Sequence, residues 1–172
     1  MCGYVGFTNR IENADAVLGE MMDIIRHRGP DSEGKYIDDG IALGFRRLSI
    51  IDLAQGDQPI ANEDGGKVLV FNGEIYNYRQ LREKLVAAGH VFKTHSDSEV
   101  LLHGYEEYGV KLLNMLRGMF SFVIWDKEKQ ELFGARDYFG IKPLYYAEMN
   151  GTLLFGSEIK AFLPHPQFEK KL

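Results

Sequence analysis

Met119-Phe120-Ser121-Phe122-Val123-Ile124-Trp125-Asp126 is apolar at almost every position, with no alternation between a wet side and a dry one. A strand with one face in water alternates; a run such as this reads as a strand covered on both faces. Shorter strands are expected downstream over 131–136, 144–148 and 152–155, the last two joined through Asn150-Gly151. Upstream, strands are expected over 3–8, 34–38, 41–48 (after the turn pair Asp39-Gly40) and 67–71, the last entering Asn72-Gly73-Glu74 directly. Three helices fall between them. Residues 13–28 carry Val17, Leu18, Met21, Met22, Ile24 and Ile25 on one stripe, and the helix is expected to end at a left-handed Gly29 before Pro30. A second helix runs from 77 or 78 to 88 and closes at Gly89, and Ser96 caps a third that reaches 108. Residues 55–66 read as a polar loop, 157–162 as a short helix, and 164–172 as a polar tail without structural purpose. The class is α+β, with two stacked sheets covered by helices.

The chain has 172 residues, enough for one domain with a substantial core. Twenty basic residues against twenty-five acidic ones give a net charge of −5 with no basic stripe, which argues against nucleic acid and anionic membrane as partners. The single cysteine rules out an internal disulfide and suits a reducing compartment. No signal peptide or spanning helix is evident, so a cytoplasmic location is expected.

That cysteine is Cys2, directly after Met1. Removing Met1 would place a thiol and a free α-amine on one residue. An α-amine titrates at about 7.7 to 8.0 and an ordinary thiol at about 8.5, so the two groups can exchange a proton near neutrality. Such a residue carries its own base and needs no catalytic histidine elsewhere. Alternatively, Cys2 is a small buried apolar residue.

Other clusters allow two readings each. Arg46-Arg47 closes a strand; paired arginines are often a solvated face, but the guanidinium fork also suits a carboxylate. Asn72-Gly73-Glu74 is a tight turn on local chemistry, yet an Asn amide beside a Gly N–H supplies the two donors of an oxyanion hole. Asp97 suits the first turn of its helix and could also accept from a substrate ammonium. The run 27–31 is explained by helix termination. The five histidines show no metal-ligand spacing, so no metal is expected, and there is no glycine-rich phosphate loop.

Read in order, these segments resemble the N-terminal glutaminase domain of the asparagine synthetases that use glutamine. The resemblance rests on Met1-Cys2-Gly3, Arg26-His27-Arg28-Gly29-Pro30-Asp31, Arg47-Leu48-Ser49-Ile50-Ile51-Asp52, Asn72-Gly73-Glu74-Ile75-Tyr76-Asn77, Ser96-Asp97-Ser98-Glu99, Gly118-Met119-Phe120, Arg136-Asp137-Tyr138-Phe139-Gly140-Ile141-Lys142-Pro143-Leu144-Tyr145 and Ser157-Glu158-Ile159-Lys160-Ala161. It spans the chain from its first residue to about Phe162. The wider family is the class II glutamine amidotransferases, among the N-terminal-nucleophile hydrolases, which implies a four-layer α-β-β-α sandwich.

The resemblance also implies roles. Cys2 would attack the glutamine side-chain amide, with Asn72 and Gly73 holding the oxyanion. Arg47 would bind the α-carboxylate, Glu74 and Asp97 the α-ammonium, and backbone around Leu48, Ser49, Ile50 and Ile51 would line the pocket. Residues 1–172 would form a single glutaminase domain without a cofactor. ATP and Mg belong to a second, aspartate-activating domain whose Ser-Gly-Gly-x-Asp-Ser loop is absent here. The expected partners are glutamine, that synthetase domain, and a second copy in a homodimer. Two other readings stay open: a class II amidotransferase serving a different acceptor, and a non-catalytic glutamine-binding module.

Overall fold

The computed structural model describes residues 2–48 and 57–170. The chain divides into two compact units, the first from residues 1–50, 57–59 and 143–172, the second from 51–56 and 60–142.

In the first unit, β1 (Gly3–Thr8), β2 (Ser32–Ile37), β3 (Ile41–Arg47), β8 (Tyr145–Met149) and β9 (Thr152–Gly156) form one antiparallel sheet in the order β2-β3-β1-β9-β8. Helix α1 (Ala14–Ile24) lies on it through Leu18, Met21 and Met22, which pack with Val5, Phe7, Ala42 and Leu154. All seven side chains are 0–1% exposed, and burying each large one contributes about 1.5–3 kcal/mol. The β8–β9 hairpin turns on Asn150 and Gly151, at φ 51° and 78°. Two positive φ values in succession match the strand twist, which is why the Asn-Gly pair foretold the hairpin.

The second unit holds β4 (Ile60–Ala61), β5 (Lys67–Ile75), β6 (Gly118–Asp126) and β7 (Glu131–Arg136), antiparallel in that order. Helices α2 (Tyr78–Ala87) and α3 (Asp97–Tyr108) cover one face. There Leu69, Phe71 and Ile75 of β5 and Phe120, Phe122 and Ile124 of β6 meet Leu81, Leu85, Val100 and Leu101. Gly89 ends α2 at φ 105°, and the Ser96 hydroxyl caps α3 by accepting from the Ser98 N–H at 3.2 Å. Residues 120–126 of β6 are buried at every position, as the unbroken apolar run implied.

The structure corrects several expectations. Helix α1 stops at Ile24, and Arg26–Arg28 winds on as a 3-10 turn. Gly29 is not left-handed, with φ −149°; it is glycine because a Cβ there would lie 2.3 Å from the Arg46 carbonyl carbon. The 55–66 loop contains β4, whose two residues are too few for alternation to register. Asn72-Gly73-Glu74 is not a turn, because β5 runs straight through it to Ile75. The tail beyond Pro164 is packed: His165 is 1% exposed with its ring 4.7 Å from that of Phe7, and Phe168 lies edge-on to Phe162. Arg46 is not solvated; it turns toward α1, donates to the Met22 carbonyl, and pairs with Asp23 and Glu33.

Candidate active site

Cys2 lies just ahead of β1 and is half-buried. Its Sγ accepts from the Leu48 N–H at 3.4 Å and lies 3.7 Å from the Leu48 carbonyl, so the thiol sits against the backbone N–H and C=O of the residue that follows β3. The Cys2 carbonyl accepts from Arg28 Nε at 3.1 Å. Arg28 crosses directly over residue 3, where a Cβ would lie 2.9 Å from its Cδ, so Gly3 makes room for the arginine.

Behind Arg28 stands Glu158, 3.1 Å from its Nη1 and also paired with His27 and Lys160. Burial works to raise the Glu158 carboxyl, but bonds from Arg28, Lys160 and His27 outweigh it and hold the group below the usual carboxylate range. Helix termination alone had accounted for Arg28. Its added task, fixing the backbone of Cys2, depends on the distant Glu158, and the available signal was that both residues fall within resemblance segments.

Arg47 ends β3 on the face opposite Arg46, is 8% exposed, and pairs with Asp57 at 3.1 Å. The first unit therefore brings together Cys2, Arg28, Arg47 and Leu48. Ser49, Ile50 and Ile51, expected to line the pocket, lie outside the described residues.

In the second unit the site residues follow from the pleat of β5. Leu69, Phe71 and Ile75 face the helices, so Asn72 and Glu74 stand on the opposite face. Asn72 is 4% exposed, and its Nδ2 donors meet no acceptor among the described residues. A buried amide without a partner costs roughly 1–3 kcal/mol, so such a group calls for a functional explanation.

The ladder also orients Gly73. Its opposite number is Phe120, whose N–H donates to Asp137 Oδ2 at 3.2 Å and whose C=O accepts from the Asp137 N–H at 2.8 Å. An opposed antiparallel pair exchanges both bonds or neither. Gly73 therefore turns its own N–H away from β6, toward an edge where β4 reaches only Val68 and Leu69. Two residues on, the Ile75 N–H points the same way and donates to Asp97 Oδ2 at 2.9 Å. A side chain at 73 would put a Cβ 2.2 Å from the Met119 carbonyl, so glycine is required for close approach.

Asp97 opens α3 under its Ser96 cap. Burial raises its carboxyl above the ordinary range despite the bond from Ile75, and the neighbouring Glu74 carboxylate adds to the rise. The second unit thus gathers an amide without an acceptor among the described residues, an outward N–H, and two neighbouring carboxylates, one exposed and one half-buried. Asp137 organises the adjacent loop: its carboxylate accepts from the N–H groups of Phe120, Ile141 and Lys142, while Arg136 holds the carbonyls of Gly140 and Lys142.

Residues 1–172 match the family described as glutamine amidotransferase domain. Asparagine synthetase [glutamine-hydrolyzing] 1 of Bacillus subtilis is 49% identical over 95% of this chain and 27% of its own length. Asparagine synthetase 2 of the same organism is 48% identical over 96% of this chain and 23% of its own, and the probable enzyme of Dictyostelium discoideum is 43% identical over 94% and 30%. The chain spans about a quarter of the length of these relatives. Among solved structures, the glutamine phosphoribosylpyrophosphate amidotransferase of Bacillus subtilis, complexed with ADP and GMP, superposes with a TM-score of 0.76 at 24% identity, over 94% of this chain and 43% of that one. A structure described as the allosteric regulatory enzyme of purine biosynthesis gives 0.78 at 24%, over 95% and 43%. At that identity the likeness speaks for the fold alone, which is the α+β fold of the N-terminal-nucleophile hydrolases. With the family match covering the whole sequence, the chain belongs to the glutamine amidotransferase domain family.

Proposed function

We propose that this chain hydrolyses glutamine to glutamate and ammonia through Cys2, and that the ammonia serves ATP-dependent asparagine synthesis from aspartate. The relatives' names support the acceptor. The observation that carries the chemistry is the buried, unpartnered Asn72 amide beside the outward Gly73 N–H. Two adjacent donors, the amide without an acceptor among the described residues and the N–H turned away from β6, suit a charge that exists only during reaction.

With Met1 removed, the Cys2 α-amine takes the thiol proton and the thiolate attacks the glutamine Cδ. The carbonyl oxygen becomes an oxyanion, which Asn72 Nδ2 and the Gly73 N–H stabilise. Its collapse breaks the C–N bond as the α-ammonium returns the proton to the leaving nitrogen. Ammonia departs and a γ-glutamyl thioester remains. Water, deprotonated by the same amine, attacks the thioester and releases glutamate and the thiol. Arg47 takes the α-carboxylate with help from backbone at 48–51, and Glu74 and Asp97 take the α-ammonium. No cofactor enters these steps; ATP and Mg act in the synthetase portion, the partner of this domain. A reducing cytoplasm keeps the sole thiol available.

Incubating the purified, Met1-free protein with glutamine and measuring glutamate and ammonia tests the proposal. Equal amounts of both products are expected, and Cys2→Ser should give neither while still binding glutamine by calorimetry. Loss of binding together with activity would make Cys2 a structural residue and overturn the assignment.

A further inference from the structure

Away from these residues, the second unit gathers two histidines and two carboxylates from three separate segments. Glu63 lies between β4 and β5, His90 follows α2, and His103 and Glu106 share a face of α3. Glu63, His90 and His103 each offer one ligand atom, and those three atoms lie within 4.8 Å of one another. Glu106 Oε2 is 2.9 Å from His103 Nδ1 and 3.8 Å from His90 Nδ1, and Glu63 Oε1 is 3.6 Å from His103 Nδ1. A tetrahedral ion with ligands at about 2.0–2.1 Å requires ligand–ligand edges of roughly 3.4 Å. The observed separations straddle that value.

We infer that Glu63, His90 and His103, with Glu106 beside the two histidines, form a binding site for a divalent transition-metal ion of the Zn(II) class. Two imidazoles with carboxylates suit Zn(II) and disfavour Mg and Ca, which prefer oxygen alone. The surrounding contacts are those of a metal centre. His90 presents Nε2 to Glu107 at 3.3 Å, so Nδ1 faces the cluster. Glu106 Oε1 accepts from Asn62 Nδ2 at 2.5 Å, which leaves Oε2 aimed at the histidines. Partners of this kind orient ligands and set their basicity. His103 is 2% exposed and packs edge-on to Phe92, so its ring is held in place before any ion arrives. The ion would replace the hydrogen bond between His103 and Glu106 and tie both connecting segments to α3. Its role is structural, and it takes no part in the proposed hydrolysis.

Zinc titration of untagged protein in a Cys2→Ser background, where the thiol cannot contribute, tests the site. One equivalent should bind and raise Tm, and Co(II) should give a visible spectrum without a thiolate charge-transfer band. His90→Ala and Glu63→Gln, at residues less buried than His103, should fold normally by circular dichroism and each weaken zinc binding by about tenfold or more. Absence of saturable zinc binding, or undiminished affinity in either variant, would overturn the inference.

Discussion

Asn72 carries a cost that its surroundings do not offset: a buried amide with no acceptor among the described residues. If that donor serves the transition state, replacing it should harm turnover far more than substrate binding. Asn72→Ala is expected to lower kcat by about 10²- to 10³-fold, the range for one oxyanion-hole donor, with KM nearly unchanged. Steady-state kinetics on glutamine decide it; a rise in KM with kcat intact would place Asn72 in ground-state binding instead.

The two arginines of β3 separate function from packing. Arg46 holds the Met22 carbonyl, Asp23 and Glu33 on the α1 side. Arg46→Lys cannot keep all three, and should cost about 1 to 2 kcal/mol of stability with glutamine affinity unchanged. Arg47→Lys keeps the charge but loses the planar fork, and should weaken glutamine about tenfold, the loss of one charge-assisted bond. Denaturant unfolding and calorimetry on both variants give the comparison. If Arg46→Lys weakens glutamine and Arg47→Lys does not, the pocket is assigned to the wrong face of β3.

At the level of elements, the segment after the last 3-10 turn (Ile159–Phe162) stabilises the first unit through His165. Burial against Phe7 pushes the His165 imidazole below its ordinary 6.5. The unfolded chain therefore takes up a proton on this residue that the folded chain resists. The associated stability is complete above about pH 6.5 and is lost as pH falls toward the depressed folded value. Tm should decline between pH 7 and 5, and His165→Phe should flatten that decline. An identical slope in the variant would show that other groups govern the acid response.

Elements whose signal is local were legible in the sequence. The unbroken run at 119–126, the Asn150-Gly151 turn, the Ser96 cap and the Gly89 terminator each depend on a few neighbouring residues. What could not be read depends on contacts across the fold. Gly73 looked like a turn because glycine usually supplies backbone freedom, whereas here it admits the Met119 carbonyl. Gly29 likewise answers to the Arg46 backbone, not to the helix it follows. The histidines at 90 and 103 have no ligand spacing along the chain, and meet only because α2, α3 and the β4–β5 segment converge. Among the proposed site residues, Cys2, Asn72 and Asp97 are singled out by chemistry and resemblance, while Arg28 is hidden by its plausible place at a helix end.

For the whole molecule, activity rests on the claim that Cys2 is nucleophile and base at once, which requires a free α-amine. Mixing Met1-free protein with glutamine, quenching with acid and recording the intact mass measures this directly. A γ-glutamyl adduct should appear on the Met1-free chain, be absent from Cys2→Ser, and be absent from any fraction that retains Met1. An adduct on the Met1-retaining fraction, or glutamine turnover by Cys2→Ser, would contradict it.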